Sequence, residues 1–384
     1  MSFVLPRASV RTQTAAVFAA FALNGFSFGM WAVRIPAIKA QTGLDDAGLG
    51  FSLLAASLGA VLTMFVGGWL GSRLGSHVTT SASLAGCAAM LPFMGGAWNY
   101  ATLTLSLLVF GMFQGTMDVS MNANGVAVEH AGARAIMSKL HGSWSIGQFV
   151  GAFVSAQVVA AGIPPFPQFT VEAVFLLGAA VVLRWALLPD RHVESGGLRR
   201  PSGPLILLGV IALIGLMAEG SAYDWGGIFM HGTVGTSEAT AGYAVAAFGA
   251  CMAVARLTGD RLYAILGAVR LVGGGALLSA AGLGLALSLA QPTAAILGFG
   301  LMGAGLGAVV PTTFRAAGAQ PGIPASVGIA AVSTVGYAGG LLGPPIIGTV
   351  AQTTTLRMAL GIDLVLLVVL AIGSRFALRS RPTS

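Results

Sequence analysis

Long apolar runs alternate with short polar turns along almost the whole chain. Because a bilayer core takes roughly 20 apolar residues of helix, each long run predicts a membrane-spanning helix. Twelve such spans are predicted, at 14–36, 47–71, 78–97, 101–127, 137–161, 169–188, 205–230, 239–258, 268–290, 293–314, 325–350 and 357–378. The pattern therefore predicts an all-α membrane protein.

One polar stretch, rich in arginine, proline and glycine, divides these spans into two sets of six. It predicts a six-helix bundle at 1–188, a cytoplasmic linker at 189–204 and a second six-helix bundle at 205–384. The halves also resemble each other. The tetrapeptides GSRL and GDRL each follow the second span of a half, and a pair of glycines recurs in both fifth spans. Internal repeats of this kind are typical of secondary transporters.

Composition supports a membrane protein, because only 8% of the residues are charged and the mean hydropathy is +0.87. Soluble domains carry roughly 25% charged residues. The net charge of +7 could indicate nucleic-acid binding, but the positions of the charges favour another explanation. Of 19 basic residues, only Arg34, Lys39 and Arg357 fall on the side opposite the N-terminus, which leaves 16 on the same side. This bias predicts a multi-pass protein of the bacterial inner membrane with both termini cytoplasmic, surrounded by lipid and without a nucleic-acid partner.

Two carboxylates lie deep inside predicted spans, where an ionisable group is costly and usually functional. Asp118 shares one face of the fourth span with Gln114 and Asn122, because the three recur every four residues. Glu219 lies deep in the seventh span. Since burial disfavours the charged form of a carboxylate, both are candidates for proton coupling. The alternative for Asp118 is a structural carboxylate paired with Arg134 or Arg315.

Other polar and aromatic side chains within the spans are candidates for binding a substrate. Amides, hydroxyls and a histidine supply hydrogen bonds, and a tryptophan face suits the apolar side of a sugar ring. The alternative is hydrogen bonding between helices, which is common in membranes. The candidates are Asn24, Trp31, Gln114, Asn122, His141, Trp144, Gln148, Tyr223 and Tyr337.

The repeat after the second and eighth spans resembles the loop motif of the major facilitator superfamily. The first copy has Ser72 where the family has an acidic residue, whereas the second copy keeps Asp260. The resemblance covers nearly the whole chain and implies two pseudo-symmetric six-helix bundles that gate on the cytoplasmic side. The gating residues that it implies are Gly68, Gly71 and Arg73 in the first copy, and Arg256, Asp260 and Arg261 in the second.

A closer likeness is to the fucose-permease branch of that superfamily. The fourth helix there carries Gly-x-x-Glu-x-x-x-Asn, and Gly115, Asp118 and Asn122 are similarly spaced here. The first helix also resembles that branch, but Ala32 stands where the branch has an acidic residue. The resemblance implies proton-coupled symport of a sugar-like solute, with one carboxylate of the proton relay missing.

The sequence thus predicts a secondary transporter, expected to act as a monomer, that moves a small polar solute together with a proton. A proton-driven exporter of drugs or metabolites is the alternative within transport, and a membrane sensor that does not transport is the alternative outside it. No enzyme activity, cofactor or metal is predicted. The five histidines are scattered, and the Gly-x-Gly-x-x-Gly run that begins at Gly298 does not follow a strand.

Overall fold

The computed structural model describes residues 9–133, 136–190, 203–321, 323 and 325–378, and within these ranges it is helical without a β-strand. A short π-helix, Phe229–Thr233, extends the seventh helix. The helices are α1 (Val10–Thr42), α2 (Asp46–Leu74), α3 (Ser76–Gly95), α4 (Tyr100–Gly132), α5 (Met137–Ala160), α6 (Pro165–Ala186), α7 (Gly203–Ile228), α8 (Glu238–Leu289), α9 (Pro292–Leu306), α10 (Val309–Gly318), α11 (Ala325–Thr353) and α12 (Leu356–Ala377).

Ten helical stretches in the described ranges are long and apolar enough to cross a bilayer, which confirms the predicted all-α membrane fold. The predicted eighth and ninth spans are two helical segments that meet at a kink, and α8 denotes both, 52 residues in all. It bends at Gly267, whose φ of 72° is readily adopted only by glycine. The fifth predicted span is helical as α5, but this more polar helix is not among the ten. The count of twelve spans stays a prediction.

Polar residues begin these helices and glycine ends some of them, as the turns in the sequence suggest. Asn99 accepts a hydrogen bond from the backbone N–H of Thr102 (2.9 Å) and forms a capping box at the start of α4. Asp45 accepts one from Gly48 (2.7 Å) at the start of α2. Gly43, with φ of 67°, ends α1. The turns between apolar runs therefore place the helix ends with little ambiguity.

Small residues let the helices of each half approach closely. A Cβ atom at Gly147 of α5 would lie 2.0 Å from the carbonyl oxygen of Ala22 in α1. A Cβ atom at Gly339 of α11 would lie 2.1 Å from the carbonyl oxygen of Leu213 in α7. Matching glycines of the two halves therefore allow α5 to pack on α1 and α11 to pack on α7, as small residues often do in membranes.

The two predicted bundles contact each other through α2 with α11 and through α5 with α8, and α1 touches both α7 and α8. Most of the predicted linker at 189–204, together with the two chain termini, lies outside the described residues. The division at 1–188 and 205–384 therefore stays a prediction. The contacts between the bundles enclose the candidate site.

Candidate functional site

A cavity of about 820 Å³ lies between helices of both predicted bundles. It falls within the range of roughly 300–1,000 Å³ that is usual for small-molecule sites. The exposed side chains of Asp260 and Arg315 line one end of the cavity, which is therefore open to the surface there. Its polar, charged and aromatic lining comprises Asn24, Gln114, Asp118, His141, Trp144, Glu219, Arg256, Asp260, Tyr263, Thr312, Phe314, Arg315 and Tyr337.

A hydrogen-bonded cluster joins three helices at the first wall of the cavity. Asn24 of α1 and Gln114 of α4 exchange two amide hydrogen bonds, of 2.8 and 3.0 Å. The indole N–H of Trp144 in α5 donates to Asn24 Oδ1 (2.7 Å). These three residues were predicted to bind substrate, and the structure brings them together on the cavity wall.

Asp118 lies beside this cluster and contacts both predicted bundles. Asn122, one turn along α4, donates to its Oδ1 atom (3.2 Å) and to its backbone carbonyl (2.8 Å). The Tyr337 side chain of α11 interacts with the same carboxyl group from the opposite wall. No arginine or lysine forms an ion pair with Asp118 within the described part of the chain. Arg134, one of the predicted alternative partners, lies outside that part.

Glu219, in contrast, is paired. Both of its carboxylate oxygens accept from Nη2 of Arg256, at 3.0 and 3.1 Å. The same guanidinium donates to Ser145 of α5 (2.8 Å) and lies 5.8 Å from the ring centroid of Trp144. Arg256 therefore joins α7 and α8 to α5 across the two bundles.

The loop motif assigned Arg256 to the cytoplasmic gate, a role that stays a prediction. Its side chain is only 13% exposed and extends from α8 toward Glu219 in the cavity. A charge within an apolar run was the available signal, since an ionisable residue inside a membrane helix usually has a specific partner.

His141 also lines the cavity, where its ring packs edge-on against Phe21 with the centroids 5.4 Å apart. It lies near the open end, as the sequence suggests. Phe21 is fully buried, so one edge of the imidazole is held by the protein while the rest faces the cavity.

Four other candidates for substrate binding do not line the cavity, Asn122 beside Asp118 among them, and their role stays a prediction. The buried Tyr223 hydroxyl donates to Gln148, and its ring packs edge-on against Phe28 and Phe248. Trp31 stacks on Phe169 of α6 in the core of the first bundle. Helical spacing predicts the depth of a residue in the membrane, but small differences in helix rotation decide whether it faces the cavity.

The end of the cavity nearest the α1–α2 turn is closed. Arg34 is 2% exposed, so it does not extend to the membrane surface as the sequence suggested. Its guanidinium donates to Gln168 (2.6 Å) and to the carbonyl of Ile163 (2.5 Å), and it lies 3.6 Å from Glu238 of α8. This ion pair joins the two predicted bundles at the closed end.

Glycines bring α2 and α11 together at the same end. A Cβ atom at Gly348 would lie 2.4 Å from the backbone carbonyl oxygen of Asp46, whereas one at Gly340 of the same helix would meet nothing within 4 Å. We expect Gly348→Ala to hinder closure of this end and to lower transport several-fold, with Gly340→Ala as the matched control. Spin-label distances between α2 and α11, together with uptake at matched expression, test this. Equal behaviour of the two variants would contradict it.

The two copies of the loop motif differ in structure. In the second copy Asp260 pairs with Arg315 of α10 (2.5 Å), and the Arg315 guanidinium lies 4.5 Å from the centroid of the Tyr263 ring. Arg256 and Arg261, the other predicted gating residues of this copy, form no ion pair with Asp260 among the described residues, and their gating role stays a prediction. Arg315 approaches Asp260 because α10 packs against α8, which the motif itself does not indicate.

In the first copy Arg73 lies over the Trp69 ring, 4.7 Å from its centroid, and Ser72 donates to the Trp69 carbonyl (2.8 Å). Gly71 accepts from the backbone N–H of Gly75, while a Cβ atom at Gly68 would meet nothing within 4 Å. The gating roles of these residues stay predictions.

We expect Asp260→Asn to slow uptake several-fold and Ser72→Ala to have almost no effect, because only the second copy has an acidic residue with a cationic partner. The Asp260 and Arg315 side chains are 70% and 48% exposed, so their loss should cost no more than about 0–1 kcal/mol of stability. Uptake at matched expression is the measurement. An equal loss of uptake in both variants would contradict the prediction that gating depends mainly on the second copy.

No group of histidine, cysteine and carboxylate side chains suited to a metal ion occurs among the described residues. Cys87 and Cys251 are both free. The hydrogen-bonding groups, the aromatic faces and Asp118 therefore make up the chemistry of the cavity.

A comparison with protein-family models finds no match. The chain is 36% identical to an uncharacterised MFS-type transporter of Yersinia pestis over 362 residues, which cover 94% of each chain. The chain belongs to the major facilitator superfamily. It is also 33% identical to an uncharacterised transporter of Sinorhizobium fredii, covering 89% of this chain and 92% of that one. It is 31% identical to the membrane protein MosC of Rhizobium meliloti, covering 96% and 91%.

Solved structures of the same fold include the nucleoside transporter NupG and a bacterial homologue of the human lysosomal transporter Spinster. A NupG mutant matches with a TM-score of 0.76 at 14% identity, covering 96% of this chain and 100% of that one. The inward-facing, occupied Spinster homologue matches with a TM-score of 0.73 at 15% identity, covering 96% and 98%. At this sequence identity the likeness to these structures shows the fold alone. The chain is a membrane transporter of the major facilitator type and not an enzyme.

Proposed function

We propose that this transporter moves a small, neutral, polar solute by alternating access and couples that movement to a proton carried by Asp118. The observation that carries the proposal is the position of Asp118. It lies on the wall of a cavity between the two bundles, contacts both, and has no cationic partner among the described residues.

The charges around the cavity favour a neutral solute. Arg256 balances Glu219, and Arg315 balances Asp260. With neutral histidine, Asp118 is then the one uncompensated charge among the lining residues that the structure describes. A proton on Asp118 would leave the cavity electrically neutral, so binding would depend on hydrogen bonds and aromatic contact.

The pairing of Glu219 separates the two carboxylates that were predicted to couple protons. A carboxylate that shares two hydrogen bonds with a guanidinium is stabilised in its charged form. In the described part of the chain, Asp118 interacts instead with the Asn122 amide and the Tyr337 side chain. We therefore assign proton coupling to Asp118 and a supporting role to Glu219.

Sugar-like solutes are the favoured substrate class. Asn24, Gln114 and Tyr337 offer donors and acceptors for hydroxyl groups, and the Trp144 ring offers an apolar face. The resemblance of the fourth helix to the fucose-permease branch supports the same class. Because Trp144 already donates to Asn24, the indole ring is held in place before a solute arrives, which limits the entropy lost on binding.

Alternating access follows from one open end and one closed end. Opening the closed end would require separation of Arg34 from Glu238 and of Tyr223 from Gln148. Both pairs join the predicted bundle 1–188 to the predicted bundle 205–384. Rocking of one bundle against the other, as in other transporters of repeated design, would break these contacts and form new ones at the opposite end.

A proton-driven exporter is the second candidate, since Asp118 could exchange a proton for a leaving solute in the same cavity. Exporters of the superfamily typically carry a Gly-Pro motif in the fifth helix. α5 contains no proline, whereas Gly343 and Pro344 adjoin in α11, and this favours import. A membrane sensor without transport would not need a carboxylate exposed to a cavity between two bundles.

Purified protein in proteoliposomes tests the proposed function. A thermal-stabilisation screen of neutral sugars against cationic drugs identifies the ligand class, and uptake of the best ligand is then measured with and without an inward proton gradient. We expect stabilisation by a neutral polar ligand and gradient-driven accumulation. Stabilisation by cationic drugs alone, or accumulation that is independent of the gradient, would refute the proposal.

Topology in the inner membrane is tested separately. The basic residues predict that both termini and the linker lie in the cytoplasm, so the open end of the cavity would face inward. A reporter that is active only in the periplasm, fused after Ser384, should stay silent. A strongly active fusion would contradict both the topology and the twelve-span count.

A further inference from the structure

Two carboxyl groups that play no part in the cavity are buried at matching places in the two bundles. Glu172 of α6 is 3% exposed, and Asp363 of α12 is 0% exposed. Each is the eighth residue of its helix, since α6 begins at Pro165 and α12 at Leu356. The two positions are 191 apart (363 − 172), close to the 192 residues between Gly147 and Gly339 (339 − 147).

Each carboxyl group faces a serine on the helix that begins its bundle. Ser27 of α1 interacts with Glu172, and Ser221 of α7 interacts with Asp363. No hydrogen bond of normal geometry satisfies either carboxyl group or either serine hydroxyl in the part of the chain that the structure describes. An acid and a serine are thus placed alike in both bundles, and all four groups are unsatisfied.

Among the residues that the structure describes, no cation is placed to neutralise these carboxyl groups. Neither forms an ion pair with any described residue. The titratable or charged side chains on the helices packed against them do not bond to them either. These are Arg11, Arg34, Lys39, His77 and Cys87 on α1 and α3, Glu219, Tyr223, Asp224, Glu238, Tyr243, Cys251, Arg256, Asp260, Arg261, Tyr263, Arg270 and Tyr337 on α7, α8 and α11, and His231 on the π-helix.

We propose that Glu172 and Asp363 are a matched pair of proton-binding sites, one in each bundle, at which the carboxyl group is held as the neutral acid. A buried, unpaired carboxylate is too costly in a membrane interior, whereas a protonated one loses its charge and gains an O–H donor. Protonation also gives each carboxyl group a donor for the serine hydroxyl that it faces, Ser27 in one bundle and Ser221 in the other. The bound proton therefore helps to hold α6 on α1 and α12 on α7, behind the helices that carry Asn24 and Glu219.

These protons are retained during transport rather than exchanged. Each acid and its serine belong to the same bundle, so rocking of one bundle against the other leaves the pair intact. Neither carboxyl group lines the cavity, so neither can exchange its proton through the cavity when the solute binds. The pair is thus distinct from Asp118, whose contacts join both bundles. The assignment of the two proton sites does not depend on the proposed function, whereas their retention during transport rests on it.

Infrared spectroscopy of the purified full-length protein tests the inference directly. Glu172→Gln and Asp363→Asn should each remove one carbonyl band of a protonated carboxylic acid from the spectrum at neutral pH. Glu238→Gln is the control, because that carboxylate pairs with Arg34 and should contribute no such band. Ser27→Ala should shift the Glu172 band without removing it, which gives a second result if Glu172→Gln does not fold.

Uptake measurements test whether the protons are retained. Both neutral variants should accumulate substrate within twofold of the original protein. Unchanged acid bands in Glu172→Gln and Asp363→Asn would overturn the assignment of the two sites. If a variant folds normally but loses proton-driven accumulation, the inference that these protons are retained during transport is wrong. Failure of the infrared prediction and failure of the Asp118 proposal are distinguishable, since the bands are measured without substrate.

Discussion

Arg256→Met is expected to cause the largest loss of stability of any single change in the cavity. It leaves the Glu219 carboxylate, which is 12% exposed, without the guanidinium that supplies two of its hydrogen bonds. Removing one partner of a buried ion pair costs about 3–5 kcal/mol, because the remaining charge stays buried and unpaired. Thermal unfolding of the purified variant should therefore begin well below that of the original protein.

A second substitution separates the cost of the unpaired charge from the loss of contacts. In the double variant Arg256→Met with Glu219→Gln no charge is left unpaired, so most of the lost stability should return. Arg315→Met is the matched control, because it breaks an exposed pair that contributes about 0–1 kcal/mol. Equal destabilisation by Arg256→Met and Arg315→Met, or no recovery in the double variant, would contradict a buried charge pair at this site.

Uptake by the double variant addresses the role of the pair in binding. Arg256 also contacts Ser145 and lies near the face of Trp144, which are both on α5. We expect uptake to stay low even where stability recovers, because the interactions of Arg256 with Ser145 and Trp144 are lost. The single variant alone cannot distinguish a folding defect from a binding defect.

The fold could be predicted from the sequence because lipid imposes one strong rule on the chain. Apolar runs must be helical to satisfy their backbone groups, so their lengths and turns place the helices to within a few residues. Residue depth was also predictable. Asp118 and Glu219 were expected deep inside spans, and Asn24, Gln114 and Trp144 within spans. The structure places all five on the cavity wall.

The partners of the other site residues could not be predicted, because the periodicity of a sequence does not indicate which side chains of different helices meet. Arg256 was assigned to the gate because a loop motif aligns there, yet its partner is 37 residues away on another helix. Tyr223 lies one turn from Glu219, but its hydroxyl donates to Gln148 and not to a group that lines the cavity. Arg34 was expected at the membrane surface, but Glu238 and Gln168 pair with it inside the protein. In each case a partner on another helix determines where the side chain lies.

Asp118→Asn is expected to abolish proton-driven accumulation while leaving substrate exchange down a gradient. Asparagine keeps the size of the side chain and can still bond to Asn122 and Tyr337, but it cannot bind and release a proton. Ala32 stands where the related branch has a second acid, so no other carboxylate of the first bundle lines the described part of the cavity. Proteoliposomes measure both processes with the same substrate.

The control for this last variant is Asp224→Asn, the same chemical change on α7 at a residue that does not line the cavity. It should leave gradient-driven accumulation within twofold of the original protein. If Asp118 carries the proton, its variant should still equilibrate substrate, and the equilibrium level should no longer respond to the pH difference across the membrane. Undiminished accumulation by Asp118→Asn would place the proton path elsewhere. Loss of exchange together with accumulation would instead make Asp118 a substrate-binding residue, because a group that acts only in coupling is not needed for movement down a gradient.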